Sequence, residues 1–333
     1  MNDKTVSAVV VTYRRPHDLK RCLYMLLQQT LPLLELIVVD NGAEYGDEAR
    51  HVCETVAGNI PVHYIVSPSN GLPAARNLGV SHCGGDYVAL IDDDVRIATD
   101  YLAAICRVFD QYPDAVGVQG YIDPGQRPRL REFLQRLFGL YHMEPNRCRV
   151  LPTISTTYPA PLTHIVSCEW ISGSNQVYRR EVLQVVTWDE KLLKYADGED
   201  LDHSYRVHRR FPGCLFITPD ARVVHDEGVT GRTVKYELLV MREVYGWYLL
   251  HKLFPQSIYA KAAFLWSRIG RLIFEVGIGL TGHSNGVSTE VRLLLDAYWF
   301  VWCHRQAISL GDLSAFHSEF NYGELLDQTQ VRT

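Results

Sequence analysis

The chain has 333 residues, which is enough for one large α/β domain with an appendage or for two domains. Its 38 acidic and 33 basic residues give a net charge of −5, so the whole molecule has no bias towards nucleic acid. The eight cysteines form no CxxC pair, which argues against a zinc knuckle or a dithiol redox motif and fits a reducing cytoplasm. The sequence contains neither a signal-peptide segment nor the ~18 uncharged apolar residues of a membrane span. We therefore expect a cytoplasmic protein, with peripheral contact to the inner face of the cell membrane left open.

The N-terminal part alternates between strand-like and helix-like segments. Short β-branched apolar runs predict buried strands over 6–11, 36–39, 62–66 and 86–91. Pro16 and the apolar residues after it predict a helix between the first two strands, and residues 74–80 predict another before the fourth. Strands separated by helices indicate βαβ crossovers and a mainly parallel sheet.

Polar residues follow each of these four strands directly. Parallel sheets bind ligands at the carboxyl ends of their strands, so we expect these residues to gather along one edge. They are Thr12, Tyr13, Arg14 and Arg15 after the first strand, Asp40 and Asn41 after the second, Asn70 after the third, and Asp92, Asp93 and Asp94 after the fourth.

The acidic triplet Asp92-Asp93-Asp94 predicts a metal site. Three successive carboxylates repel one another unless a cation neutralises them. Hard oxygen ligands beside a phosphate suit Mg²⁺ or Mn²⁺. The alternative is a solvated acidic loop or the capped start of a helix. The position after an apolar strand, with polar neighbours converging on it, favours the metal.

Later segments divide the chain. Residues 129–141 predict an amphipathic helix with Arg129, Arg131 and Arg136 between its apolar positions. It either rests on a membrane surface or packs on protein. Residues 215–217 and 221–224 predict two short strands. Apolar stripes over 236–254, 262–276 and 291–303 predict helices that pack on the main domain, form a homo-oligomer or rest on a membrane surface, and burial in protein is the favoured alternative. We expect a domain over 1–234, with halves 1–123 and 124–234, and a helical region over 235–333.

Four motifs together resemble the family 2 inverting glycosyltransferases of the GT-A fold. They are Val9–Arg15, Val38–Asn41, Asn70-Gly71 with Ala74–Asn77, and Leu90–Asp94, and the likeness runs from about residue 6 to 230. The resemblance implies a three-layer α/β/α nucleotide-diphospho-sugar transferase fold with a mainly parallel sheet. It also implies a donor site in which Thr12, Tyr13, Arg15, Asp40, Asn70, Arg76, Asp92 and Asp93 contact the nucleotide sugar, and in which Asp92 and Asp94 ligate Mn²⁺ or Mg²⁺.

The resemblance extends to the catalytic half. It implies that Asp200 is the base that deprotonates the acceptor hydroxyl, with Glu199 as its neighbour or as a contact of the acceptor. The alternative is that these residues only form an acidic helix N-terminus. His225 resembles a third metal ligand, although a lone histidine is more often structural. Trp170, Ser172 and Gly173 resemble an acceptor-side segment, whereas Trp170 can equally be a core residue.

We therefore expect a metal-dependent transferase that moves a sugar, with inversion, from a nucleotide-diphospho-sugar to a hydroxyl group. The acceptor is expected to be a saccharide or lipid-linked saccharide of surface polysaccharide or glycan synthesis. One rival is a sugar-nucleotide nucleotidyltransferase, but residues 12–15 lack the Gly-rich loop of that class. The other is a non-catalytic nucleotide-sugar binding module, against which both acidic motifs and His225 argue.

Overall fold

The N-terminal half of the computed structural model is an alternating α/β unit. The structure describes residues 4–42, 46–56, 60–69, 71–125, 127–225, 235–280 and 287–319. The predicted strands and helices of this half are present, with bounds shifted by one or two residues. The elements are β1 (Val6–Thr12), α1 (Pro16–Leu27), β2 (Glu35–Asp40), α2 (Gly46–Val56), β3 (Val62–Val66), α3 (Leu72–Ser81) and β4 (Tyr87–Ile91).

The middle of the chain adds strands on the other side of β4. Two differences from the prediction stand out. The expected helix over 129–141 ends at Leu137, because Phe138 turns into the core and Gly139 has a φ of 60°. The elements are β5 (Val95–Ile97), α4 (Tyr101–Gln111), β6 (Gly117–Ile122), α5 (Arg129–Leu137), β7 (His142–Met143), β8 (Val150–Leu151), β9 (Ser155–Tyr158), β10 (Val166–Cys168), β11 (Asn175–Arg179), α6 (Arg180–Val185), α7 (Glu199–Arg210) and β12 (Leu215–His225).

The second difference concerns β12. The two short strands expected over 215–217 and 221–224 are one strand, whose register against β6 shifts between Thr218 and Arg222. A bulge of this kind bends a strand without ending it, so the sequence between the two apolar runs looks like a turn.

A nine-stranded sheet carries the candidate site. Its order is β10-β12-β6-β11-β4-β1-β2-β3, with β5 paired to β12. The strands β3, β2, β1 and β4 are parallel to one another, as predicted. Beyond β4 the sheet is mixed, because β11 runs antiparallel between β4 and β6. A separate three-stranded sheet has the order β7-β9-β8.

Helices cover both faces of the sheet and give three layers. Alternate residues of each strand face opposite sides, so Val9 and Val10 belong to different hydrophobic cores. The core that contains Val10 includes α1, α2 and α4. The core that contains Val9 includes α3, α6 and α7. The predicted α/β/α architecture is confirmed.

The described residues after the sheet form four helices. The helix α8 is buried in the same core as α3 and α7, so this region is packed directly against the α/β unit. Ion pairs add to this packing, since Arg242 lies 3.0 Å from Asp197 in the loop before α7. Within the described ranges, no helix combines the length and the apolar character that crossing a membrane requires. The helices are α8 (Lys235–Leu253), α9 (Ile258–Leu280), α10 (Val287–Ser309) and α11 (Ser314–Glu319).

Candidate active site

Most of the predicted site residues lie along the carboxyl edge of the parallel strands. The triplet Asp92–Asp94 follows β4, and Asp40 ends β2, which is separated from β4 by β1. His225 reaches the same edge because it pairs with Val95 in the β5–β12 ladder, directly after the triplet. The predicted site residue Asn70 lies outside the described residues.

Asp93, the middle member of the triplet, is held inside the protein. Its carboxylate accepts hydrogen bonds from Thr12 Oγ1 at 2.8 Å and from Arg15 Nη1 at 3.1 Å. Burial raises the pKa of Asp93 to about 7, and the neighbouring charge of Arg15 opposes that shift. Thr12 and Arg15 therefore position the triplet, and their predicted contact with a nucleotide stays a prediction.

Asp94 connects the triplet with His225. Its Oδ1 lies 3.2 Å from His225 Nε2, and its Oδ2 accepts a hydrogen bond from Arg15 Nη1 at 2.9 Å. Burial alone would raise the pKa of Asp94, but His225 and Arg15 outweigh it and lower that pKa. An ionised carboxylate and a neighbouring imidazole are together suitable ligands for a divalent cation.

The protein side chains here do not by themselves enclose a metal ion. Among the residues that the structure describes, no three His, Cys, Asp or Glu side chains are grouped closely enough to hold one. Asp94 and His225 nevertheless fit such an ion, because an octahedral Mg²⁺ commonly takes only one or two protein ligands and completes its shell with phosphate oxygens and water.

Arg76 joins the triplet to the second acidic motif. Its side chain is 2% exposed, and its Nη2 donates to Asp92 Oδ1 and to the carbonyl of Gly173, both at 3.0 Å. Its Nη1 is paired with Glu199 Oε1. Burial raises the pKa of Asp92, and Arg76 opposes that shift. The two acidic motifs are therefore parts of one hydrogen-bonded cluster.

Asp200 is oriented at the N-terminus of α7. Gly198, with φ of 86°, caps this helix in the left-handed conformation that glycine tolerates best. The Asp200 carboxylate accepts hydrogen bonds from the backbone N–H of Gly173 at 3.1 Å and of Leu201 at 2.8 Å. Burial raises the pKa of Asp200, whereas these two hydrogen bonds lower it. Asp202, by contrast, is fully buried against Arg206 and Lys252, which is a structural role.

Glu199 has a different environment from Asp200. Burial raises the pKa of Glu199 to about 8; Arg76 opposes this rise and the charge of Asp200 adds to it. Its Oε2 is buried and has no hydrogen-bond partner in the described part of the chain. Glu199 is therefore placed to hold Arg76, while Asp200 is held by backbone groups.

The acceptor-side segment is more buried than expected. Trp170 is 8% exposed, and its Nε1 donates to the carbonyl of Thr157 at 3.0 Å. This favours the alternative in which Trp170 is a core residue. The backbone N–H of Ser172 donates to Gln119 Oε1 at 2.8 Å. A Cβ on Gly173 would lie 2.9 Å from the Arg76 guanidinium and from Glu199 Oε1, so only glycine fits there without displacing them.

Asp40 is also occupied by its own neighbours. Its Oδ1 accepts a hydrogen bond from the backbone N–H of Gly42 at 2.8 Å, and its Oδ2 accepts one from Tyr64 at 2.7 Å. Sequence reasoning missed Tyr64, although its place in β3 beside β2 was a usable signal. The guanidinium carbon of Arg14 lies over the ring of Tyr13, 5.1 Å from the ring centre.

Comparison of the sequence with protein-family models identifies the family. The family model described as glycosyl transferase family 2 matches residues 7–186, which include most of β1, the acidic triplet, Arg76 and Gly173. The chain belongs to glycosyl transferase family 2.

Characterised relatives of this family 2 glycosyltransferase are distant. A glucosyl-dolichyl phosphate glucuronosyltransferase from Haloferax volcanii is 27% identical over 283 residues, which cover 78% of this chain and 82% of the relative. The glycosyltransferase GlyA from Streptococcus pneumoniae is 28% identical over 120 residues, 36% of this chain. That match spans only 17% of GlyA.

Solved structures share the fold of this family 2 glycosyltransferase. A mannosyltransferase from Pyrobaculum calidifontis, in complex with GDP-Man and Mn²⁺, covers 96% of this chain and 88% of its own, with a TM-score of 0.52 and 16% identity. GalNAc-T7 with UDP, GalNAc and Mn²⁺ has a TM-score of 0.54 and 16% identity, and covers 85% of this chain and 58% of its own. These likenesses show the GT-A fold and confirm the predicted fold class.

Proposed function

We propose that this family 2 glycosyltransferase moves a sugar, with inversion and with the help of a divalent metal, from a nucleotide-diphospho-sugar to a hydroxyl group. The observation that carries the proposal is the single cluster in which Arg76 joins Asp92 to Glu199, with Asp200 beside it and His225 3.2 Å from Asp94. Such a cluster supplies both ligands for a metal ion that would bind a diphosphate and a base for the acceptor.

Asp200 is the proposed base. Its carboxylate accepts the proton of the acceptor hydroxyl while the acceptor oxygen bonds to the anomeric carbon. The bond between that carbon and the diphosphate oxygen breaks, and the nucleoside diphosphate leaves with the bonding electron pair. The backbone N–H groups of Gly173 and Leu201 hold the carboxylate in place during the transfer. Its raised pKa makes it a stronger base than an exposed aspartate.

The donor diphosphate is proposed to bind beside the triplet. Asp94 and His225 would hold Mn²⁺ or Mg²⁺ there, with Asp92 as a further candidate ligand. When bound, such an ion neutralises charge that develops on the departing diphosphate. Thr12, Tyr13, Arg15, Asp40, Asn70 and Arg76 remain the proposed nucleotide-sugar residues, and Ser172 and Gly173 the proposed acceptor-side residues.

The proposed acceptor is a saccharide or a lipid-linked saccharide. The name of the Haloferax volcanii relative refers to a dolichyl phosphate carrier, which supports a lipid-linked acceptor for this chain too. The relative ExoM of Rhizobium meliloti, named a succinoglycan biosynthesis protein, supports polysaccharide synthesis. We propose that the enzyme works in the cytoplasm at the inner face of the cell membrane. The domain boundary at residue 234 and a homo-oligomer through the C-terminal helices stay predictions.

A screen of nucleotide sugars for thermal stabilisation tests the donor class. A ligand that binds the folded state raises the melting temperature by mass action. We expect one or a few nucleotide-diphospho-sugars to stabilise the protein in the presence of Mn²⁺, and much less after chelation. Nucleoside triphosphates without a sugar serve as the comparison for the nucleotidyltransferase alternative. Stabilisation by a triphosphate, and by none of the diphospho-sugars, would contradict the proposal.

A further inference from the structure

The helix α9 carries its apolar side outwards. Between residues 258 and 277, every residue that is exposed to solvent is uncharged and all but Ala262 and Gly277 are large and apolar or aromatic. Its arginines point the other way, since Arg268 and Arg271 lie 2.8 Å and 2.6 Å from the buried carboxylate of Glu243. A helix on a water-facing surface normally has the opposite arrangement. The large exposed residues are Ile258, Tyr259, Leu265, Trp266, Ile269, Ile273 and Val276.

The helix α5 extends this apolar face. Leu130 and Phe133, one turn apart, are 69% and 63% exposed, and none of the nine residues of α5 is buried. The two helices touch at the end of α5, where Trp266 Nε1 donates to the carbonyl of Leu137 at 2.9 Å and the Trp266 ring lies 5.0 Å from that of Phe138. Leu130, Phe133, Leu137, Leu265, Trp266 and Ile269 form what we call the α5–α9 surface.

Positive charge borders the α5–α9 surface. Arg129 and Arg131 flank Leu130, are exposed, and have no ion-pair partner in the described part of the chain. Two copies of this surface would bring like charges together, whereas an anionic lipid surface is complementary to them. Trp266 fits such an environment as well, because an indole favours the boundary between apolar and polar layers.

From these observations we infer that the α5–α9 surface docks on an anionic lipid bilayer. The apolar side chains enter the boundary between headgroups and acyl chains, while Arg129 and Arg131 contact acidic headgroups. The inference deepens the proposed function, on which its biological sense rests, because docking would hold the enzyme next to a lipid-linked acceptor. Few residues separate α9 from the site. Arg268 of α9 pairs with Glu243 on α8, and the neighbouring Arg242 pairs with Asp197 in the loop before Asp200.

Flotation of the full chain with lipid vesicles tests this inference. The protein is mixed with vesicles of phosphatidylcholine alone, or with phosphatidylcholine vesicles that contain about 30% phosphatidylglycerol and therefore have an anionic surface. We expect flotation with the anionic vesicles and little with the neutral ones. Each arginine near an anionic surface strengthens binding about fivefold, so the double variant R129Q/R131Q should bind roughly 25-fold more weakly. Arg107→Gln, an exposed change on α4 at the opposite face of the sheet, should bind like wild type.

A second pair of variants tests the apolar part. Phe133→Ser with Leu265→Ser should lose flotation, whereas Leu310→Ser, which is more exposed than either but lies outside the surface, should keep it. Circular dichroism melting and hydrolysis of donor by each variant, without vesicles, show that the fold and the catalytic site are intact. Wild-type protein that does not float with anionic vesicles overturns the inference. So does a dimer in sedimentation that the same two substitutions dissociate, because a second copy would then cover the surface. Wild-type protein that floats with anionic vesicles but hydrolyses no donor would contradict the proposed function and leave the membrane inference standing.

Discussion

The guanidinium of Arg76 is paired with the carboxylate of Glu199, 123 positions later in the chain. The same guanidinium contacts Asp92, so one buried cation serves two acidic motifs. Gly173 lies against both partners of this pair and donates its N–H to Asp200. The proposed base is thus linked to the proposed donor anchor through Arg76 and Gly173.

Removing the cation of Arg76 should destabilise the protein strongly. At about pH 9, where the Glu199 carboxylate is ionised in the wild type, Arg76→Met leaves this buried carboxylate and the half-buried Asp92 without their positive partner, which typically costs about 3–5 kcal/mol in the free energy of unfolding. Adding Glu199→Gln should recover at least about 1 kcal/mol, because one of the unpaired charges is then removed. Urea unfolding of the four proteins in this double-mutant cycle gives the coupling. Arg107→Met on the surface should change the stability by less than about 0.5 kcal/mol. Additive effects at positions 76 and 199 would contradict the pairing.

A methyl group at position 173 should impair catalysis more than folding. In Gly173→Ala the new Cβ would lie 2.9 Å from Arg76 and Glu199, so that pair and the N–H that holds Asp200 must shift. A displacement of about 1 Å at a catalytic group can reduce the rate about 100-fold. Gly84→Ala is a matched control, since its Cβ would meet only ordinary contacts at 3.5 Å or more. Equal transfer rates for the two variants would show that position 173 does not position the base.

The pH dependence of stability should reveal the buried carboxyl of Glu199. Its pKa is about 8 in the folded protein against an ordinary value of 4.5. Between these values the folded state keeps a proton that the unfolded state has released, so the contribution of Glu199 to stability falls as pH rises. Glu199→Gln removes this titration. The stability of the variant relative to wild type should therefore increase from pH 4.5 to 8, as measured by denaturant unfolding. A difference that does not change with pH would contradict the raised pKa.

Metal activation should depend on Asp94 and His225. We expect chelation to abolish transfer, and Asp94→Asn or His225→Ala to raise the Mn²⁺ concentration for half-maximal activity by at least about tenfold. His164→Ala, an exposed histidine that contacts Thr163, is the control and should behave like wild type. Transfer that survives chelation unchanged would rule out the proposed metal.

Local patterns were sufficient to predict the first half of the fold. The four parallel strands and the helices α1 and α3 follow from apolar runs and from Pro16, because each is determined by residues close together in the chain; α2, between β2 and β3, was not predicted. The same patterns placed the acidic triplet at a strand end. The resemblance to family 2, on which the fold class rested, is confirmed by the match over residues 7–186.

Contacts between distant residues could not be predicted in the same way. The β5–β12 pairing brings His225 to Asp94 across 131 positions, and a three-residue strand leaves little pattern to detect. Likewise, only the folded chain shows that Trp170 turns its indole N–H to Thr157 and that Arg76 lies between Asp92 and Glu199. For α9 the sequence favoured burial of the apolar stripe in protein over contact with a membrane, whereas the structure exposes much of that stripe. A helical stripe does not show which side faces the protein.

The transfer rate of Asp200→Asn tests the central claim most directly. At saturating donor and Mn²⁺, losing the base should lower kcat by about 100-fold to 10,000-fold, while donor still stabilises the variant thermally. Asp202→Asn, two residues further along α7, should reduce stability because it disturbs the ion pairs with Arg206 and Lys252, yet keep kcat near that of wild type. A folded Asp200→Asn protein that binds donor and transfers sugar at the wild-type rate would contradict the account.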